Sequence, residues 1–468
     1  MLHKGMRFFA LLLLAVFSLA YQTTAQQIAL KDSENEATPK IEKIKLLASL
    51  DLLAVTPTVS RYLDTEQGIS STDLVRRALS ANAELQAARL DIDRFRARLT
   101  QASLRPNPSI DFEQTTGRFT GSKGEKETSI SFSLPLEIGG KRQKRIDLAR
   151  AEIAVAEAAI AERERLLIKE IRTAYADALA LIRELQITEN LNSIDTQAVR
   201  VIEARVNEGD SSPLEVNLFR VEIDRLKSRR VLLEGRLLSA ILKIKTLAGI
   251  SPNESLKLRE DLAALFPEPF TSVEEAITVA LQHRPDLKFA RLVEEAAQAG
   301  YKLAKAQSLP DVTAFSRYSY DTSVFDNTPV GILRDNDNLV TFGVSISLPF
   351  FNRNQGAQAE AQLAIQQAAR RREFVEAVIR SEVAQAYAQY EAARNALATF
   401  ETGVIARSTQ NLIAVRKAYE LGAFSASELL LEQRKFLDSQ REFINTLAER
   451  YRALTDIQSA IGSPVAKQ

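Results

Sequence analysis

The sequence predicts a mainly α protein with a small β part, in which one helix–β-hairpin–long-helix unit is used twice. Three observations predict it. The stretch from Thr72 to Gly249 is echoed by Val273 to Gly462. The first half holds an uninterrupted run, 141–208, with neither Pro nor Gly. Each half also holds short segments whose apolar residues alternate strictly with polar ones, the period of a strand. The echo is visible in the letters. "ALSANAEL" from Ala78 is answered by "ALQHRPDL" from Ala280, "ASLRP" ending at Pro106 by "QSLP" ending at Pro310, and "SFSLP" ending at Pro135 by "SISLP" ending at Pro349. Gly209 is answered by Gly422, and Gly249 by Gly462.

The chain opens with Lys4 and Arg7 ahead of an apolar run from Phe8 to Ala20, followed by small residues up to Ala25. This predicts a secretory signal peptide over 1–25, since the apolar run is too short to span a bilayer. Residues 26–70 lie outside the repeat and read as an irregular N-terminal arm. The first repeat covers 71–250, 251–271 is a linker, the second repeat covers 272–463, and 464–468 is a tail.

In the first repeat a helix over 72–103 stops before Pro106 and Pro108. A long helix follows over 140–208. Ile146, Ile153, Ile160, Leu167, Ala174 and Leu181 recur along it every seventh residue, the seam of a coiled coil. A further helix runs over 213–248, with Pro213 at its start and Gly249 beyond its end. The second repeat has the same plan, with helices over 273–308, 356–420 and 425–461. Its first helix starts at a capping box, either Thr271 with Glu274 or Ser272 with Glu275. The two long helices come to about 69 and 65 residues, each about 100 Å long. Two shorter helices stacked end to end match each of them, as an antiparallel bundle of even thickness requires.

The strands are expected at about 107–117 and 127–136, then at about 311–322 and 338–350. In Thr128–Pro135, Ile130, Phe132 and Leu134 face away from Ser129, Ser131 and Ser133. Val340, Phe342, Val344, Ile346 and Leu348 do the same in the fourth, and the partner strands offer Ile110, Phe112, Val312 and Phe315. A small soluble sheet packed on a helix satisfies this pattern. So does a barrel closed from several copies, which also removes the open edges.

Composition excludes several classes. There is no Cys, and both Met residues fall within the signal segment, as does one of the two His. No disulfide framework or thiolate metal site is possible. The formal charge of +1 gives no basic surface for a nucleic acid. His283, alone and next to Arg284–Pro285, reads as structural. No nucleophile–base pair, phosphate loop or cofactor motif appears, so neither a hydrolase nor any other enzyme is expected.

The doubled helix–hairpin–helix plan, with "SFSLPLEIGGKRQKRI" (Ser131–Ile146) and "SISLPFFNRNQG" (Ser345–Gly356), resembles the TolC family of outer-membrane efflux proteins, and within it the CzcC-like channels of heavy-metal pumps. The resemblance covers almost all of the mature chain. It implies a homotrimer: a coiled-coil α-barrel in the periplasm under a 12-stranded β-barrel in the outer-membrane lipid, four strands per chain. It also implies two partners, a periplasmic adaptor protein and, through it, an inner-membrane proton-driven pump of the resistance–nodulation–division type. The channel would be passive. A multidrug or type I secretion channel is the alternative cargo class. A periplasmic coiled-coil scaffold fits less well, because an adaptor would carry one helical hairpin rather than two.

The resemblance also points to the two helical tips, "RVNEGDSSPLEV" and "KAYELGAFSASELL". Gly209 and Gly422 read as turn glycines from the residues alone. The family adds adaptor docking at Gly209, Asp210, Ser211, Gly422, Ala423 and Phe424. Glu215 and Glu428, equivalent across the repeat, are expected to line a closable entrance, with Asp210 and Glu432 as lesser candidates; the bland alternative is a helix-start carboxylate favoured by the dipole. Tyr419 matches a gate tyrosine. Phe424 stands where the family's arginine would, so a closed state held by Phe424 and Tyr419 packing is expected instead of a salt-linked latch. Lys141, Arg142, Lys144 and Arg145 are candidates for a tunnel lining or a membrane boundary, or simply for a solvated helix start.

Overall fold

The computed structural model describes residues 56–119, 124–260, 262, 272–325, 329 and 331–462. The expected signal peptide, most of the arm, Thr271 and the tail at 464–468 lie outside the described residues. The first repeat comprises α1 (Ser71–Ala81), α2 (Ala83–Ser103), β1 (Ser109–Thr116), β2 (Lys126–Leu136), α3 (Lys141–Asn207) and α4 (Pro213–Leu247). The second comprises α5 (Val273–His283), α6 (Pro285–Ala306), β3 (Val312–Phe325), β4 (Leu333–Ile346), α7 (Gln355–Thr399), α8 (Ile405–Glu420) and α9 (Ala426–Ile461). A π-helical turn, Phe400–Val404, joins α7 to α8, so the second long helix is continuous but not uniform.

The long helix α3 has 67 residues, about 100 Å of rise. Its seam is buried at Ile146, Ile160, Leu167 and Ala174, and half-buried at Ile153 and Leu181. On the equivalent face of α7, Ile379, Val383, Ala386, Tyr390, Ala393 and Leu397 are buried. Both α2 and α4 pack along α3, and both α6 and α9 pack along α7, which is the expected stacking of two short helices on a long one. α3 also packs against α6 and α9, binding the two repeats into one bundle.

Both first helices, expected to be continuous, are broken in the middle. Asn82 (φ −63°, ψ 121°) and Arg284 (φ −64°, ψ 126°) are extended and separate α1 from α2 and α5 from α6. These residues are repeat equivalents, and the stacking explains the break. The end of α4 lands on the first break, where Asn82 donates from Nδ2 to the Leu247 carbonyl (2.9 Å) and caps the Leu85 amide (2.9 Å). The end of α9 lands on the second, where Arg284 donates to the Ala460 carbonyl (3.3 Å) and pairs with Asp286 and Glu382 (each 2.5 Å). Pro285 reinforces the second break, because the residue before a proline is driven out of the helical region. Of the two capping alternatives at the start of α5, Ser272 is the cap, accepting from the Glu275 amide (3.2 Å).

The four strands form one antiparallel sheet in the order β1-β2-β3-β4. The β2–β3 ladder joins the hairpins of the two repeats, with Ile130 opposite Tyr318 and Phe132 opposite Ser316. Ile110, Phe112, Ile130, Phe132, Tyr318, Val340, Phe342 and Val344 share one face, all of them exposed on a single chain. Asp111, Ser131, Arg317 and Thr341 share the other, where Arg317 pairs with Glu113 (3.1 Å). Two sequence expectations are corrected here. Phe315 lies on the polar face, three residues from Val312 and so of opposite parity; its ring covers Gly343, where an added Cβ would come within 2.5 Å of it. The second hairpin also runs further than its apolar alternation, because the ladder continues through Asp335, Asn336 and Asp337 to Phe325 opposite Leu333.

The described part of the arm is held, not loose. Leu63 and Ile69 form parallel bridges to Leu258 of the linker. The buried Tyr175 of α3 donates to the Glu260 carboxylate, with the Ile69 carbonyl also 3.2 Å from its hydroxyl, and accepts from the Arg259 amide (3.1 Å). Among the described residues no helix is long and apolar enough to cross a membrane.

Candidate functional site

The two tips close with the same backbone device. Gly209 (φ +86°) and Gly422 (φ +77°) are left-handed, with nothing within 4 Å of an added Cβ. Asp210 N–H donates to the Arg205 carbonyl (2.8 Å) and Gly209 N–H to that of Val206 (3.1 Å). Ala423 N–H donates to the Ala418 carbonyl and Gly422 N–H to that of Tyr419, both at 2.9 Å. This paired arrangement satisfies the last carbonyls of α3 and α8 and reverses the chain. Gly209, Asp210, Ala423 and Phe424 are exposed and Ser211 is half-buried, so both turns stand open at one end of the bundle.

The next helices start differently, and this separates the two glutamates that the repeat makes equivalent. At α9, Ser425 and Glu428 form a reciprocal capping box: the Glu428 carboxylate accepts from the Ser425 amide (2.7 Å) and hydroxyl (2.8 Å). The Ser425 amide is the main reason the Glu428 carboxyl is held below its ordinary range. At α4, Ser212 caps the Leu214 amide alone, leaving Glu215 out of the cap. Glu215 instead accepts from the Ser211 hydroxyl (2.6 Å) and, at the outer limit of a hydrogen bond, from the Tyr419 hydroxyl of the other tip (3.5 Å). Glu215 thus bridges the two hairpins, while Glu428 is spent on its own helix start.

Tyr419 is buried, its ring 6.1 Å from that of Phe219 on α4. Burial, aided by the Glu215 charge, pushes its phenol up to about 12, so it remains a neutral donor at any physiological pH. The ring contact that packs Tyr419 is with Phe219, a residue that no sequence pattern singles out; Phe424 is 44% exposed. Glu432 pairs with Lys435 on its own helix (3.3 Å).

The basic run after β2 joins helices to strands. Lys141 is buried and pairs with Asp311 at the start of β3 (2.7 Å). Arg142 donates to the Ser103 carbonyl (2.6 Å), and Arg145 reaches the Leu104 carbonyl and pairs with Glu137. Together they hold the end of α2, the end of β2 and the start of β3 on the first turns of α3. His283 directs Nδ1 at the Val279 carbonyl of its own helix (3.1 Å). Among the described residues no group of His, Asp or Glu is arranged to hold a metal ion.

A bundle with two open tips at one end and a sheet with an exposed apolar face at the other is a shape with known relatives. The outer membrane efflux protein family matches residues 74–250 and 276–463, one match on each repeat. The chain is 24% identical over 388 residues to the cobalt-zinc-cadmium resistance protein CzcC of Cupriavidus metallidurans, covering 82% of this chain and 88% of the relative. It is 25% identical over 422 residues to the pyoverdine export outer membrane protein OpmQ of Pseudomonas aeruginosa, covering 83% and 84%. A crystal structure of CusC superposes with a TM-score of 0.69 at 21% identity, over 84% of this chain and 92% of that one. With both repeats matched, the chain belongs to the outer membrane efflux protein family: it is a passive outer-membrane efflux channel and not an enzyme, its helical body extending into the periplasm.

Proposed function

We propose that this protein is the outer-membrane channel of a tripartite efflux system that exports divalent metal cations of the cobalt, zinc and cadmium type. The observation that carries the cargo is the set of relatives named for metals: CzcC, the nickel and cobalt resistance protein CnrC and the nickel-cobalt-cadmium resistance protein NccC. The chemistry is compatible. Beyond the first residues the chain offers no thiolate or thioether and only His283 as an imidazole, so soft ions pass without being trapped.

The working unit is a homotrimer. The single-chain sheet leaves β1 and β4 as open edges and its apolar face uncovered. Three copies joined edge to edge give a 12-stranded barrel with that face toward lipid and the Arg317–Glu113 face toward the lumen. The open turns at Gly209–Ser211 and Gly422–Phe424 receive the periplasmic adaptor, which links the channel to an inner-membrane pump. Glu215 and Glu428 from three chains place carboxylates around the entrance and favour cations there. Phe424, uncovered on one chain, meets its neighbours across the entrance. OpmQ supports a second reading, export of a larger organic molecule.

Growth of a strain lacking the gene, on graded zinc, cobalt, cadmium, nickel, copper and silver with dyes and antibiotics alongside, tests the cargo. Metal-only sensitivity restored by the intact gene is expected. Sensitivity to dyes or antibiotics with unchanged metal tolerance would discard the metal reading and leave a general efflux channel.

A further inference from the structure

The bundle interior contains one layer that does not fit a coiled-coil core. Asp195 of α3 is 1% exposed, and beside it lie the buried Glu222 of α4 and the buried Gln433 of α9; Gln440, also buried, sits about two turns further along α9. Gln433 donates to one carboxylate oxygen of Asp195 (2.9 Å); the other, Oδ2, has no hydrogen-bond partner. Asn192 Oδ1, one turn away, and Gln440 Nε2 are also buried without partners. Glu222 is paired with Arg434 of α9 (2.7 Å) and lies 3.6 Å from Arg225. Counted from the tip glycines, these groups sit about three to five helical turns into the bundle. The π-helical turn Phe400–Val404 lies at the deep edge of the same layer, its Phe400 ring 6.3 Å from Phe443 of α9. The corresponding stretch of α3 is unbroken α-helix. Buried polar groups left half satisfied are costly, and π turns occur mostly where a helix must change its path.

We propose that Asp195 and its layer form a proton-operated latch that holds the α8–α9 hairpin against α3 and α4, with the Phe400–Val404 turn as its hinge. This rests on the tip being the closable end of an efflux channel. Asp195 binds α3 to α9 through Gln433, and Glu222 binds α4 to α9 through Arg434, so α9 is held at one level from both sides. The charged groups facing Asp195 are Glu222 from α4, which opposes its ionisation, and Arg416 from α8, which favours it; Gln433 is the neutral partner from α9. Burial dominates and pushes the carboxyl up to about 7 from an ordinary 3.8. Once the hairpin swings out and water reaches Asp195, the ordinary value returns. Between those two values the latched state keeps a proton that the released state has lost, so raising the pH weakens the latch about tenfold per pH unit, and above about 7 there is no further change. Acid locks the hairpin, and neutral pH loosens it.

The test is hydrogen exchange of the 430–442 segment in the purified full chain, from pH 5 to 8, with Asp195→Asn and Glu222→Gln alongside. After correction for intrinsic exchange, wild-type protection is expected to fall about tenfold per pH unit up to about 7 and then level off. Asp195→Asn, permanently neutral, keeps its protection throughout, and Glu222→Gln moves the transition to lower pH. Superimposable wild-type and Asp195→Asn profiles would overturn the latch. Single-channel recordings on the same samples separate the two readings. Pores whose open probability ignores a pH transition seen by exchange overturn the latch as a gate. Failure to form pores at all overturns the channel assignment, and exchange still decides the latch.

Discussion

Replacing Gly249 and Gly209 by Ala, one at a time, separates the two things a left-handed glycine can be needed for. Both have positive φ, +64° and +86°, so each Ala variant bears the left-handed strain of about 1–2 kcal/mol. The surroundings differ. An added Cβ at Gly209 meets nothing within 4 Å, whereas at Gly249 it would lie 2.4 Å from the Ala81 carbonyl oxygen and 2.8 Å from its carbon. Those are backbone atoms at the joint where α4 abuts the α1–α2 break, and they cannot rotate away. Relieving the overlap means separating the stacked helices, a packing cost of a further 1–3 kcal/mol or so. Gly249→Ala is therefore expected to cost about 2–5 kcal/mol and Gly209→Ala about 1–2 kcal/mol. The assay is the heat-dissociation midpoint of the detergent-solubilised protein, followed by gel mobility and far-ultraviolet circular dichroism. Gly249→Ala should lower it clearly more. Equal shifts, or a larger one for Gly209→Ala, would refute the claim that end-to-end stacking sets the requirement at Gly249.

Further expectations follow from the other joints. Gly343→Ala drives a methyl into the Phe315 ring and should impair insertion of the sheet; Phe315→Leu in the same chain should restore part of it, as read by heat-resistant oligomer in the membrane fraction. At the Lys141–Asp311 pair the lysine side chain is 8% exposed and the aspartate 47%. Asp311→Ala, which strands a buried ammonium, should therefore destabilise more than Lys141→Met, which leaves a carboxylate that water can reach; the comparison is by the same melting assay. Ser425→Ala removes a cap worth about 1 kcal/mol and should raise exchange at the start of α9. Because the folded Glu428 carboxyl titrates below its ordinary 4.5, the capping box contributes fully above that value. Its contribution is lost as pH falls through the lowered value, so the Ser425→Ala difference should shrink in acid. Glu215→Gln with Glu428→Gln should lower cation over anion permeability in planar bilayers; unchanged reversal potentials would remove these residues from the entrance.

Much of this protein is written in its sequence, and the reason is periodicity. A seven-residue seam from Ile146 to Leu181 and strict alternation in Thr128–Pro135 each determine local structure without help from distant residues, and the duplication states every element twice. The tip turns at Gly209 and Gly422 were legible for the same reason, since only glycine sits comfortably at those backbone angles. Where prediction failed, the deciding contact came from far along the chain. The breaks at Asn82 and Arg284 are set by the ends of α4 and α9, and the Phe315 ring is accommodated on the polar face because Gly343 on the neighbouring strand makes room for it. Glu215 and Glu428 look equivalent in sequence, yet one bridges to Tyr419 on the other hairpin and the other caps its own helix. In sequence Asp195 is one more acid in a long helical run. Sequence alone determined the elements, their order and their duplication, because those depend on neighbours a few residues away. Tertiary structure decided which faces meet, and with that which carboxylate is buried, paired or left without a partner.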